Sequence, residues 1–524
     1  MEFHINFQMN SSSRVILNTT IQYIRTIITT IVALYTTRMI LSSLGENDYG
    51  IYALVGSVIG MLSFLKSSLA TTTYRFLSYN QGKKDIELLK KVFNNSVITQ
   101  SAISLFLVLI LVALIPFLFN GFLNIPQNRT GAAISVYCFM LISLFFSMLS
   151  TPYLATLISH ENILYASIVQ IIDSLIKIPI ALVVVWFPHD KLKLYAALNA
   201  GIEIINFLFY YIYSKIKYEE TTNIKFKDFD KNLFKEIFSF AGWNIYSEIC
   251  IIGRTQGVAI IINKFYGTAV NAAYGIGASV SGMTSFLSSS LQTAINPQLI
   301  RAEGSNDRFK MLRIAEISSK FSTLLLALLA FPLLIEMDSV LSLWLKDVPK
   351  YTNMFCTFIV LTALVDQLTI GCGTANMAIG NIKKYSLVIN SIKFLTIPFS
   401  IMCLLLNLPL YSVMICYLLF EFVGAVLRLP FLKKTGNLMI SDFFKRVFKP
   451  IFSPLLITLI ACLLCSYFCK FKWGFLLTFI VSAITLPLST YFLGLSNDEK
   501  IIINELLLKF LSIFKKNNNL IIRK

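Results

Sequence analysis

The sequence predicts an all-α integral membrane protein of about fourteen transmembrane helices, built as two parallel six-helix lobes followed by a C-terminal helix pair. Three observations carry this. Only 14% of the 524 residues are charged, 56% are hydrophobic and the mean hydropathy is +0.71, whereas soluble domains hold roughly a quarter charged residues. Apolar runs long enough to cross a ~30 Å hydrocarbon core recur along the whole chain. A segment of the first half, beginning at Gly60, returns in the second half, beginning at Gly282.

The runs lie at about 14–43, 49–79, 92–119, 131–158, 162–187, 192–214, 236–264, 268–300, 314–336, 353–378, 382–407, 409–432, 447–469 and 473–494. Residues 1–13 lack the charged start, apolar stretch and small-residue cleavage site of a signal peptide, so the first run is expected to stay in the mature protein. Basic residues gather in the even-numbered connections: Lys83, Lys84, Lys90 and Lys91, then Lys215, Lys217, Lys225, Lys227, Lys231 and Lys235, then Arg301, Arg308, Lys310 and Arg313. Lys383, Lys384, Lys433, Lys434, Lys445 and Arg446 join them, while the opposite connections hold fewer. This positive-inside bias is expected to place both termini in the cytoplasm and supports an even number of spans.

The internal repeat defines the domain organisation. Gly60-Met61-Leu62-Ser63-Phe64-Leu65 aligns with Gly282-Met283-Thr284-Ser285-Phe286-Leu287, and Gly82 and Asp85 then meet Gly304 and Asp307 without a gap. Asn162 and Pro179 meet Asn381 and Pro398 with a slightly smaller shift. An even number of runs separates the matched segments, so the halves share one orientation in the membrane and a substrate path is expected between them. The lobes are expected at 1–214 and 236–432, joined by a basic cytoplasmic linker at 215–235. The additional pair occupies 433–494. A cytoplasmic tail at 495–524 follows, with amphipathic spacing over 498–516.

Several segments carry a family resemblance: Asp48-Tyr49-Gly50-Ile51-Tyr52, Tyr74-Arg75-Phe76-Leu77-Ser78, Phe240-Ala241-Gly242-Trp243-Asn244, Arg254-Thr255-Gln256-Gly257 and Asn296-Pro297-Gln298. Together with the architecture they resemble the Wzx-type O-antigen and capsule flippases, the polysaccharide transporter branch of the MATE-like flippase superfamily. The resemblance covers the first twelve helices. It implies that an undecaprenyl-pyrophosphate-linked oligosaccharide is moved from the cytoplasmic to the outer leaflet of a bacterial inner membrane by alternating access. The product would be lipopolysaccharide O-antigen, capsule or another glycan, with a polysaccharide polymerase as a further partner. A cation-coupled multidrug exporter on the same fold is the alternative.

An anionic headgroup crossing a bilayer needs cationic and hydrogen-bonding side chains facing inward. On the first helix Asn18, Gln22, Arg25 and Thr29 share one face. Arg25 is the foremost candidate for the pyrophosphate, because a guanidinium binds phosphate oxygens bidentately and stays charged; a structural pair with a carboxylate is the bland alternative. The seventh helix offers Asn244, Glu248 and Arg254, with the spacing of Glu248 and Arg254 unsuited to a direct pair. Arg75 completes the set by helix position in the family, although it and Arg38 lie near helix ends, where snorkelling to headgroups is expected. Asp173 and Lys177 are spaced for an i, i+4 ion pair, with Gln170 on the same face. Glu203, Asp366, Lys393 and Glu421 read as isolated charges in other spans. These six ionisable groups are the candidates for coupling to H+ or Na+.

Other classes find little support. The net charge of +18 and pI near 9.4 arise from short clusters between apolar runs, not from a nucleic-acid patch with interleaved aromatics. All nine cysteines fall in or beside apolar runs and read as small lipophilic residues. The three histidines, His4, His160 and His189, are far apart, and no Gly-rich phosphate loop with Lys-Ser or Lys-Thr is present. No metal, organic cofactor or enzyme domain is expected.

Overall fold

The computed structural model describes residues 11–123, 125–222, 229–345, 347–468, 473–501 and 504, and the regular secondary structure among them is all helical. The first half contains α1 (Ser11–Gly60), α2 (Ser63–Lys83), α3 (Ile86–Ala113), α4 (Ile115–Phe117), α5 (Thr130–Ser159), α6 (Ile163–Trp186) and α7 (Lys191–Lys217). The second half begins with α8 (Lys231–Tyr266), α9 (Thr268–Gly304), α10 (Arg308–Ile335) and α11 (Met337–Trp344). It continues through α12 (Thr352–Gln367), α13 (Ile370–Ile379), α14 (Ile382–Phe394), α15 (Thr396–Leu405) and α16 (Tyr411–Gly436). Three further helices follow, α17 (Ile440–Phe443), α18 (Lys449–Phe468) and α19 (Gly474–Ser489).

Among the described residues, 11 helices are long and apolar enough to cross a membrane, or up to 13 if each of two bent pairs counts as one span. The bent pairs, 47–60 with 63–83 and 352–367 with 370–379, turn by 44° and 49°. The expected run at 268–300 corresponds to α9, which is 37 residues long. Its many Ser, Thr, Asn and Gln side chains keep it out of the apolar set, so length and composition support 11 to 13 spans where about fourteen were expected.

The repeat is written into the backbone. Left-handed conformations recur at the same offset that relates Gly60 to Gly282: Gly45 (φ 74°) is matched by Gly267 (φ 83°), and Lys84 (φ 57°) by Asn306 (φ 61°). Glu161 (φ 58°) and Gly380 (φ 94°) form a third pair at the slightly smaller shift already seen in the sequence. Such residues end a helix because the reversed φ turns the chain away and lets following N–H groups reach the last carbonyls. At Lys84 the backbone N–H donates to the Gln81 carbonyl, and Asp85 then caps α3 by accepting from the Leu88 N–H at 2.9 Å.

The chain forms two compact units. One comprises 18–249 and 296–308, the other the remaining described residues. In the first, Val55, Ala133, Val136, Tyr137 and Met148 form a buried core. Ile40, Ile180, Ala181, Val184 and Ile202 form a second. Tyr137 donates its hydroxyl to the Leu111 carbonyl at 3.0 Å, which satisfies its polar end in that dry setting. α1 inverts the soluble pattern: Asn18, Thr19 and Gln22 are buried while Ile24, Ile27, Ile31 and Leu34 are exposed. That is the arrangement of a helix whose outer face meets lipid and whose polar groups bond to neighbouring helices.

The second unit centres on Val258, Ile262, Tyr274, Phe355, Val413 and Met414. The terminal helices α18 and α19 belong to it. Ser482 on α19 donates to the Leu328 carbonyl of α10 at 2.8 Å, and Thr478 reaches Glu336 at 3.3 Å. Cys462 packs beneath them and donates to the Thr478 carbonyl, while Cys469 lies outside the described residues. Beyond α19, Glu499 accepts from the Ser496 N–H at 2.8 Å in a capping box and pairs with buried Lys320 of α10 at 2.6 Å. The expected amphipathic tail runs from there into 502–503 and 505–524, outside the described residues.

Candidate functional site

Helices α8, α12, α14 and α16 of the second unit converge on a buried ionic network. Arg254 of α8 pairs with Glu421 of α16 at 2.8 Å, and Lys393 of α14 pairs with the other oxygen of the same carboxylate. Lys393 also reaches Asp366 of α12 at 3.3 Å, and Arg428 of α16 holds that carboxylate at 2.6 Å. Glu421 is 2% exposed, and Arg254, Lys393 and Arg428 are 6% exposed each. Asp366, with 26% of its side chain exposed, is the member open to its surroundings. Three cations against two carboxylates give the network a formal charge of +1.

Local structure explains why these residues meet. Asp366 lies in the last turn before the 49° bend between α12 and α13, where carbonyls lose their helical donors. Arg428 donates to the Asp366 carbonyl at 3.0 Å as well as to its carboxylate, and Thr369 at the bend donates to the Ala425 carbonyl at 3.0 Å. Gly424, close behind Glu421 on α16, leaves room for the Lys393 stem, since a Cβ there would lie 3.2 Å from Lys393 Cε. The Arg254 guanidinium lies over Tyr417, 4.0 Å from the ring centroid, which adds a cation–π contact.

One expectation is corrected here, and one residue is added. Asp366, Lys393 and Glu421 are not isolated charges but share one network, because spans distant in sequence pack together. Arg254 pairs with Glu421 and not with Glu248, in keeping with the six-residue spacing that disfavours a direct pair on one helix. Arg428 was missed altogether. Its signal was available, since it stands two helical turns after Glu421 and therefore on the same helix face.

The first unit holds a second polar system. Arg25 donates to Gln170 of α6 at 2.5 Å and to Thr26 at 3.3 Å, and both acceptors are neutral. The bland alternative of a structural carboxylate partner is therefore not what the geometry shows. One turn along α6, Asp173 pairs with Lys177 at 2.8 Å, as their spacing predicts, and also accepts from Asn206 of α7 at 2.8 Å. Glu203 of α7 has Lys66, Asp173 and Lys177 as charged neighbours, and Lys66 donates to Ser147 of α5. Arg25, Lys66 and Lys177 against Asp173 and Glu203 again sum to +1.

The remaining candidates sit apart from Arg25's acceptors. Asn18 donates to the Glu161 carbonyl at 3.1 Å, tying α1 to the turn between α5 and α6. Gln22 is buried one turn later. Asn244 of α8 donates to Thr72 of α2 at 3.1 Å, and Glu248, half-buried, faces Ser67. Arg75 does not snorkel: it is 4% exposed and held over the rings of Phe76, Tyr79 and Phe240 at 4.7 to 5.1 Å. Its position near the end of α2 suggested a headgroup contact, but α8 lays Phe240 across it. Arg38 is exposed.

Solved structures share this fold. A MATE mutant superposes with a TM-score of 0.71 at 14% identity, covering 84% of this chain and 98% of that one. An outward-facing multidrug resistance MATE family transporter of the MOP superfamily gives 0.70 at 15% identity over 83% and 97%. A MOP superfamily transporter from Pyrococcus furiosus Vc1, described as having a binding pocket of reverse polarity, gives 0.69 at 14% identity over 83% and 97%. The chain is thus a multi-pass membrane protein with the MATE transporter fold. The family described as polysaccharide biosynthesis protein matches residues 13–303, more than half of the sequence, and the chain belongs to that family. All five motifs quoted for the flippase resemblance fall inside the matched segment. No curated protein matches the chain significantly.

Proposed function

We propose that the protein flips an undecaprenyl-pyrophosphate-linked oligosaccharide from the cytoplasmic to the outer leaflet of a bacterial inner membrane, by alternating access, for polysaccharide biosynthesis. The observation that carries this reading is Arg25, an intramembrane guanidinium whose acceptors, Gln170 and Thr26, are neutral. An arginine costs about 2.5–3.5 kcal/mol at mid-bilayer on insertion scales, and one that is not neutralised by a carboxylate suits an anionic ligand. The family membership supports a glycan pathway, and the surplus of one positive charge in each polar system favours a phosphorylated headgroup. Basic connections support cytoplasmic termini. The reading assigns no bond-making chemistry to the chain and no organic cofactor or metal. H+ or Na+ would supply the driving force, and a polysaccharide polymerase would take up the product.

The rival is a cation-coupled multidrug exporter. Such a protein needs several carboxylates facing its cationic substrate, whereas Asp173, Asp366 and Glu421 are each already paired with a basic side chain, which leaves Glu203 and Glu248 for a coupling H+ or Na+. The test is reconstitution into vesicles with a fluorescent lipid-pyrophosphate oligosaccharide, followed by quenching of headgroups from outside. Protein-dependent exposure of inner-leaflet headgroups is expected. Export of small organic cations without headgroup translocation would overturn the proposal.

A further inference from the structure

Just below the turn between α15 and α16, two cysteines face each other. Cys403 lies near the end of α15 and Cys416 in the second turn of α16, with their sulfurs 3.8 Å apart. The turn is tight because Asn407 adopts a left-handed conformation (φ 58°), which lets the Leu408 N–H donate to the Cys403 carbonyl at 3.0 Å. That geometry presses the two helix ends together. The sulfurs are in van der Waals contact, at 3.8 Å against the ~2.05 Å of a disulfide.

We propose that Cys403 and Cys416 are a disulfide modification site that pins the outer end of α15 to α16. The proposal rests on the orientation inferred above, in which this turn faces the outer, oxidising compartment. The oxidant is the disulfide of a thiol oxidoreductase. One cysteine thiolate attacks a sulfur of that disulfide, forming a mixed disulfide and releasing one oxidoreductase thiol. The second cysteine thiolate then attacks its neighbour, forming the Cys403–Cys416 bond and releasing the oxidoreductase's other thiol. Two electrons pass to the oxidant, and the protons leave the cysteines and end on its two thiols. The consequence is mechanical. α15 is the outer half of a span whose inner half, α14, carries Lys393, and α16 carries Glu421 and Arg428. The bond therefore ties α16, which supplies two members of the buried network, to the span whose inner half supplies Lys393.

Membranes prepared from intact cells are denatured in N-ethylmaleimide, reduced, and labelled with iodoacetamide. Peptide mass spectrometry then reads Cys403 and Cys416. Iodoacetamide on both is expected in the wild type, and maleimide on Cys416 in Cys403→Ser. Maleimide on both in the wild type would overturn the proposal. Leu408→Cys in the Cys403→Ser/Cys416→Ser background, probed with a membrane-impermeant maleimide on intact cells, separates the two premises. Labelling from outside with a reduced wild-type pair rejects the disulfide alone. Protection of Leu408→Cys with labelling only after permeabilisation rejects the orientation.

Discussion

Gly82 and Gly304, partners in the internal repeat, cross backbone to backbone. A Cβ on Gly304 would overlap the Tyr79 carbonyl, and one on Gly82 would overlap that of Arg301. The same crossing is stitched by Arg301, which donates to the Ser159 carbonyl at 2.5 Å, to Gln81 at 3.0 Å and to Glu161 at 2.9 Å.

Gly304→Ala is expected to separate α2 from the end of α9 and lower stability by about 1–3 kcal/mol, the usual cost of overpacking. Gly275→Ala, on the same helix with nothing within 4 Å of the new carbon, is the control and should be neutral or slightly stabilising. Thermal unfolding of the purified protein in detergent compares them. Equal melting temperatures for the two variants would show that the crossing tolerates a methyl group.

Arg25→Ala is expected to abolish headgroup translocation while membrane insertion and expression stay at wild-type levels. Gln170→Leu should keep partial activity, with a loss of roughly 10-fold, because it removes one hydrogen bond to the guanidinium, about 1.5 kcal/mol, and leaves the charge. The vesicle assay checks both. Wild-type transport by Arg25→Ala would make this arginine a structural residue.

Breaking the Arg254–Glu421 pair from its two sides should not cost the same. Glu421→Gln leaves three cations facing one carboxylate, an uncompensated buried charge expected to cost about 3–5 kcal/mol. Arg254→Met leaves two cations and two carboxylates and should cost clearly less. Unfolding midpoints of both variants decide the order, and the reverse order would mean that the network is not governed by its charge balance.

Arg129 bridges Asp48 at 2.9 Å and Asp190 at 3.2 Å, clipping the starts of α5 and α7 to the stretch of α1 just after its kink at Gly45. These side chains are about a quarter exposed, so Arg129→Met should cost only about 1–2 kcal/mol, and roughly 1 M salt should narrow the difference from wild type by screening. A salt-independent difference in melting temperature would assign the effect to packing.

Much of this protein was legible before any coordinates. Between 11 and 13 spans follow from length and apolar content, and the offset between Gly60 and Gly282 is also the one between the left-handed residues Gly45 and Gly267. The ion pair of Asp173 and Lys177 was readable because a helix brings i and i+4 together whatever surrounds it. The inward face of α1 was readable for the same reason.

The partners of intramembrane charges were not. Helical period tells which face a residue occupies, but not which other helix meets that face. Arg254 and Glu421 sit on helices far apart in the chain, and Arg75 is likewise covered by Phe240 from a distant helix. Local spacing therefore left Asp366, Lys393 and Glu421 as separate charges and passed over Arg428. Tertiary packing alone joined them, because a charge buried among spans is stable only where another helix supplies its counter-charge. Membrane residence, helical character and the doubling of the chain needed only the order of its residues; the ionic network and the acceptors of Arg25 needed the helices to be packed.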